Sequence, residues 1–378
     1  MSKHARNHLD DLRGASRLAV DATRGVTDIV ERMHRTLGWG TALLGRPVYA
    51  SIHGITRLVG AGIERLLAEL APLVDSSVTG SQRDALLAVV NGVLGDYLVA
   101  SENPLAIEMH LRHAGAPLDV AALADPRAKI AVLVHGSCMT EGQWLRAGHD
   151  HGAALALDLG YTPLYVRYNS GLHISTNGRT LAALLDSLVA TWPVAIDELV
   201  LIGHSMGGLV AHSACHIGGA WREQVRALIM LGSPHHGAVL ERGGNWIDRT
   251  LELTPYSAPL AALGRIRSAG VTDLRHGNLL DSDWEGHDRF AHGHDMRAHH
   301  ALPAGLACYA VAATLSPEPG PRLRGDGLVS VDSALGKHEV AARCLAFTDE
   351  RRAIVYGTGH IDLLGAPAVY EALRRWLS

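Results

Sequence analysis

Glu198-Leu199-Val200-Leu201-Ile202-Gly203-His204-Ser205-Met206-Gly207-Gly208-Leu209-Val210 is the stretch on which the reading of the chain turns. An uninterrupted apolar run, then Gly-His-Ser-Met-Gly, then a second run of apolar and small residues describes a buried strand, a very tight turn and a helix. Ser205 is at the apex of the turn. Gly203 and Gly207 flank it because a side chain at either position would collide with the strand or the helix that the turn brings together. The turn projects the serine hydroxyl above a sheet edge, and the helix opening at Met206 aims backbone N–H groups at the same point.

The bulk composition agrees with a large globular α/β chain. Of 378 residues, 47% are hydrophobic and 19% charged, enough for a sizeable core and too apolar for disorder. A net charge of −4 gives no electrostatic case for nucleic acid. Phenylalanine is scarce at 2, histidine abundant at 23, and the histidine excess asks for an explanation. Cys138, Cys215, Cys308 and Cys344 are scattered, without the paired spacing of a zinc site or a disulfide framework. Met1 to Asp11 lacks the apolar stretch of a signal peptide, and no run approaches the roughly 18 apolar residues of a spanning helix. The expectation is a cytoplasmic protein, with membrane association left open.

Working outward from the central stretch, two regions separate. Residues 1–98 read as helices, with Leu9, Leu12, Leu18, Val26, Ile29, Val30 and Met33 at near-helical intervals. Gly38-Trp39-Gly40 punctuates them, and Thr41 to Val74 is long, weakly charged and rich in glycine. That segment suits either a membrane interface, with Arg46, Arg57 and Arg65 near the headgroups, or packing on the catalytic domain or a partner subunit. A further helix is expected over Ser81 to Tyr97. From residue 99 to 378 strands alternate with helices, the pattern of a mostly parallel sheet. Strands are expected at Leu105 to Leu111, Lys129 to Val134, Tyr161 to Tyr168, Leu199 to Ile202, Ala227 to Leu231, Leu306 to Leu315 and Ala353 to Tyr356. A helix is expected at Thr180 to Thr191. Residues 238–305 form a long insertion, expected as a helical lid over the site.

A serine hydroxyl needs a base, and the base an orienting carboxylate. In a sheet of this kind the partners follow in the order serine, acid, histidine, each beyond a strand end. The last strand is followed by Gly357-Thr358-Gly359-His360, and the one before it by Arg324-Gly325-Asp326-Gly327, so His360 is the expected base and Asp326 the orienting acid. Asp332, Asp349 and Asp362 are rivals for the acid. After the first strong strand, His135-Gly136-Ser137-Cys138 is expected to give a second oxyanion donor, the N–H of Ser137 or of Cys138, beside that of Met206. His235 and His236 are expected to support the elbow or to reach the substrate rim. His287, Asp288, His292, His294, Asp295, His299 and His300 have metal-ligand types in no established zinc spacing, and read as a polar lid surface.

Val134-His135-Gly136, Gly203-His204-Ser205-Met206-Gly207-Gly208, Leu231-Gly232-Ser233-Pro234-His235-His236-Gly237, Asp326-Gly327-Leu328-Val329 and His360-Ile361-Asp362 together resemble the α/β-hydrolase superfamily, closest to bacterial lipases and inositol-deacylase-like lipases. The resemblance covers roughly residues 129–378. It implies an α/β-hydrolase fold with a mostly parallel central sheet and hydrolysis of carboxylic esters through an acyl-enzyme, with Ser205, Asp326 and His360 as triad. It also implies a small-molecule or lipid ester as substrate and no organic cofactor. Several secreted members hold a structural calcium partly through the aspartate matched here by Asp362; no partner carboxylate is identified. A thioesterase, an acyltransferase and a polyester depolymerase are alternatives on the same triad. A membrane-surface interaction protein with a degenerate hydrolase domain is the alternative from another class.

Overall fold

The apolar runs become the central strands of one sheet, because a strand covered on both faces has no solvent side on which to alternate polar residues. The computed structural model describes residues 10–11, 13–18, 80–238, 268–289, 295, 297–321 and 323–378. The stretch Thr41 to Val74 and much of the expected lid lie outside the described residues. Strands β3 (Lys129–Val134), β4 (Tyr161–Arg167), β5 (Glu198–His204), β6 (Val225–Leu231), β7 (Ala307–Thr314) and β8 (Arg352–Tyr356) pair in parallel. With β1 (His110–His113) and β2 (Ala116–Pro117) added antiparallel at one edge, the order is β2-β1-β4-β3-β5-β6-β7-β8. This is an α/β-hydrolase fold with a mostly parallel central sheet.

Period-two alternation divides the core between two faces. Ile130, Val132, Leu199, Leu201, Leu228 and Met230 face α1 (Gly80–Ala100), α3 (Ile174–Thr191) and α4 (Met206–Ile217). Ala131, Leu133, Val200, Ile202 and Ile229 face α2 (His151–Leu159) and α7 (Pro367–Leu377). The register aligns Val134 with Val166 and Gly203, and His204 with Leu231, so the loops that follow emerge at one edge. Functional loops of open α/β sheets gather at that carboxyl edge.

Two local expectations shift. The strand expected from Leu105 begins at His110. Leu105 and Ile107 are instead held by the Asn91 carboxamide of α1, which donates to Leu105 O at 2.8 Å and accepts from Ile107 N at 2.9 Å. Helix α3 begins at Ile174, six residues before the expected start. Gly178 disguises its first turns, yet this glycine is a packing device: a Cβ there would stand 2.7 Å from Ser213 Cβ and 3.1 Å from Ala214 N on α4. The two-residue β2 has too little sequence to register. No helix among the described residues is long and apolar enough to cross a membrane.

Candidate active site

Ser205 holds φ +54° and ψ −123°, a backbone state that non-glycine residues rarely adopt. The surroundings enforce it. The Ser205 N–H donates to Leu231 O at 2.8 Å, a Cβ at Gly203 would run into the backbone of Gly207 and Gly208, and one at Gly207 would strike the carbonyl oxygens of Val134 and His135. Helix α4 can therefore start hard against the ends of β3 and β5. Its first N–H groups, Met206 among them, have no partner within the helix.

Asp326 and His360 come from loops after β7 and β8. His360 Nδ1 donates to Asp326 Oδ2 at 2.7 Å, and both side chains are buried. The other carboxylate oxygen, Oδ1, accepts the N–H groups of Leu328 at 2.9 Å and Val329 at 2.7 Å, while the His360 N–H donates to Asp326 O at 3.0 Å. The Asp-Gly turn thus aims one oxygen at the imidazole by spending the other on backbone. The ring lies against the loop that follows β6: a Cβ on Gly232, next to the Leu231 carbonyl that holds Ser205, would be 3.3 Å from both Nδ1 and Cε1 of His360.

The loop after β3 closes the other side. A Cβ at Gly136 would be 3.2 Å from Ser205 Cβ, so Ser137 follows at the serine's flank. Cys138 has φ +60°, and its N–H donates to Ser170 Oγ at 3.0 Å. Of the two donors expected in this loop, the Cys138 N–H is therefore already engaged. Tyr168 braces the loop through its hydroxyl, which donates to His135 O at 2.9 Å, and by stacking on the His135 ring at 4.4 Å. Burial pushes His135 down to about 4, so it is neutral.

His204 and His151 are buried histidines that contact the loop carrying His360. His204 Nε2 donates to His360 O at 3.0 Å, its ring lies 4.8 Å from that of His360, and its Nδ1 would be 3.1 Å from a Cβ at Gly136. It spans the loop of His360 and the loop that follows β3. Burial, then repulsion from His360, holds it well below the usual imidazole range. His151 Nε2 donates to Leu363 O at 2.9 Å, one turn beyond His360. The only sequence signal for His204 is its place between Gly203 and Ser205.

The remaining candidates are spread among other contacts. Asp332 is in the first turn of α6 (Val331–Ala334), and Asp349 is exposed with Arg352 3.5 Å away. Asp362 pairs with the Arg146 guanidinium at 2.9 Å, and among the described residues no further carboxylates gather beside it, so the residues present do not fit that metal. Among the described residues no three His, Cys, Asp or Glu side chains converge to hold a metal ion. Asp295 pairs with Arg297 and Arg343 and His300 with Asp283, while His292 and His294 lie outside the described residues. In the Ser233-Pro234-His235-His236 loop, Ser233 packs against Gly208, and His236 N donates to Ser333 Oγ at 3.1 Å.

Strand order, with the strained serine turn and the Asp–His pair at the carboxyl edge, gives an α/β-hydrolase fold that resembles that of the lipases. Residues 130–303 match the PGAP1-like alpha/beta domain family. No curated protein sequence matches the chain. Among solved structures it is similar to the mature Bacillus licheniformis lipase BlEst2, at 17% identity and a TM-score of 0.44, over 72% of this chain and 98% of that one. It is also similar to a Pyrobaculum calidifontis esterase, at 14% identity and 0.41, over 71% and 83%. A lipase-esterase related protein from Clostridium acetobutylicum gives 13% and 0.38, over 71% and 99%. At such scores these likenesses add no weight to the strand order and side-chain geometry.

Proposed function

We propose that this chain is a serine hydrolase that cleaves carboxylic esters through an acyl-enzyme intermediate. The observation that supports this reading most directly is the buried 2.7 Å bond between Asp326 Oδ2 and His360 Nδ1, packed on Gly232, the residue after the Leu231 carbonyl that holds the Ser205 N–H. A carboxylate can only accept from Nδ1–H, so it leaves Nε2 as the basic nitrogen and fixes the imidazole plane. Ser205 Oγ attacks the ester carbonyl while His360 Nε2 takes its proton and then returns it to the leaving alcohol. Water repeats the sequence and frees the acid.

The tetrahedral oxyanion is held by the N–H groups of Ser137 and Met206, two donors from different loops whose geometry is set before substrate arrives. Loss of one such donor costs on the order of 2.7–4 kcal/mol of transition-state stabilisation. His204 acts through His360 as a positioning residue. No step needs an organic cofactor.

Ser205→Ala tests the reading. It is expected to abolish p-nitrophenyl ester turnover and labelling by a fluorophosphonate probe, with an unchanged circular dichroism spectrum. Turnover or labelling that survives in a folded Ser205→Ala protein rejects the assignment, and labelling of the wild type with no ester turnover turns it toward thioester or acyl-transfer chemistry.

A further inference from the structure

Gly136 stands where a side chain cannot. A Cβ there would be 3.2 Å from Ser205 Cβ, 3.1 Å from His204 Nδ1 and 3.0 Å from Met139 Sδ, so the loop after β3 reaches the serine only through a glycine. Glycine is also the residue that constrains its own backbone least. The planar peptide joining Gly136 to Ser137 carries the N–H proposed to meet the oxyanion. Left to itself, that peptide is free to rotate about the line through its two Cα atoms.

The peptides on either side of it are gripped. The Tyr168 hydroxyl donates to His135 O at 2.9 Å, which holds the peptide before, and the Cys138 N–H donates to Ser170 Oγ at 3.0 Å, which holds the peptide after. Both tethers come from the chain leaving β4, and Tyr168 and Ser170 are each 1% exposed. The second tether also acts on a strained residue, because Cys138 has φ +60° and a left-handed non-glycine residue persists only where its surroundings enforce it.

The base of these tethers is fixed. Asn169 Nδ2 donates to Gly95 O of α1 at 3.0 Å, Asn169 Oδ1 accepts from Gly171 N at 3.0 Å, and Asn177 Nδ2 donates to Asn169 O at 3.0 Å. Gly270 N closes from the other side, donating to Gly171 O at 3.0 Å. A hydroxyl anchored in this way cannot follow a drifting loop, so the loop is held to it.

We propose that Ser170, together with Tyr168, is a positioning residue for the oxyanion donor: the two tethers fix the peptides that flank Ser137 N and so set the direction of its N–H. This rests on the serine-hydrolase reading. Ser170 touches no reacting atom in this role, and it matters only once negative charge develops on the carbonyl oxygen. Binding of the uncharged ester is left as it was.

Kinetics of the full chain on a p-nitrophenyl ester, with two ketones of one alkyl chain as inhibitors, are the test. Removing an oxyanion donor outright costs about 10²–10³ in rate, so a donor kept but loosened in Ser170→Ala is expected to lose on the order of tenfold in kcat/KM. The trifluoromethyl ketone accepts Ser205 Oγ at its carbonyl carbon, the carbonyl π pair becomes an oxyanion, and the serine proton passes to His360 Nε2. The methyl ketone binds without that addition. Ser170→Ala is expected to weaken the first by the same factor as kcat/KM and to leave the second unchanged. Tyr168→Phe keeps the ring that stacks on His135 and removes the other tether. It is expected to give the same split, and it serves if the alanine variant does not fold. Equal weakening of both ketones, or a folded Ser170→Ala protein with the kcat/KM of the wild type, overturns the proposal. A wild type that neither turns over the ester nor prefers the trifluoromethyl ketone takes down the serine-hydrolase reading and this role with it. A wild type that does both, with no split in either variant, takes down this role alone.

Discussion

Ser205 carries backbone strain that an alanine would also carry but a glycine would not. With φ at +54° and ψ at −123°, the residue is outside the regions comfortable for any side chain, at a cost of order 1–3 kcal/mol. Its neighbours over-determine it: Leu231 O holds the N–H, and the glycines before and after let β5 and α4 close around it. Ser205→Gly is therefore expected to be inactive and more stable than Ser205→Ala, by about 1 kcal/mol in urea unfolding. Equal midpoints for the two variants would show that the turn is relaxed. Activity and stability are in direct opposition at this one position, as expected where a nucleophile must be lifted out of its chain.

At the scale of elements, the site depends on how closely α4 approaches the sheet. Gly207→Ala would drive a Cβ into the carbonyl oxygens of Val134 and His135, and nothing there is a flexible side-chain end that can swing aside. Gly80→Ala, at the first residue of α1 with open space around it, is the matched control. Gly207→Ala is expected to lose 1–3 kcal/mol or more of stability and most ester turnover, because the oxyanion loop moves with the strand end, while Gly80→Ala changes neither. Similar thermal midpoints for the two variants would sink the packing argument. The same closeness explains what could be read from the chain. β3, β5 and β6 are legible because strands buried on both faces are continuous apolar runs, and the strained turn at Ser205 and the pairing of Asp326 with His360 are legible because each of these residues follows such a run in a glycine-rich loop. The start of α3 was hidden because Gly178 is set by contact with Ser213, a long-range fact with no local trace. Helix α1 shares a core with the sheet, and its Asn91 replaces strand pairing at Leu105 and Ile107; no local pattern announces a carboxamide standing in for a strand. His204 was overlooked for the same reason, since its partner is the carbonyl of a residue 156 positions away.

Across the whole molecule, the histidine excess becomes an account of loop fixing. His135, His151, His204 and His212 are all buried, and each donates one ring N–H to a backbone carbonyl, on Gly136, Leu363, His360 and Ala301. A carbonyl can only accept, so each ring donates that N–H as a staple, and burial keeps the ring neutral. Burial pushes His135 and His151 down to about 4 and His212 to about 3, against 6.5 for a free imidazole. The unfolded chain therefore binds protons that the folded chain refuses between pH 6.5 and 4, and stability falls as pH drops through that window. Each such ring contributes on the order of 1–2 kcal/mol of loss between pH 6.5 and 5, above the range where most carboxylates titrate. Several together approach the whole stability of a typical domain, about 5–15 kcal/mol. Urea midpoints at constant ionic strength are expected to be level from pH 8 to 7 and to drop steeply between 6.5 and 5. His151→Gln keeps an N–H donor for Leu363 O and cannot titrate, so its midpoint should fall less steeply over the same interval. A wild-type midpoint that stays level from pH 6.5 to 5 would mean that these rings take up protons in the folded state, and the carbonyl staples would not be what holds the loops around Ser205.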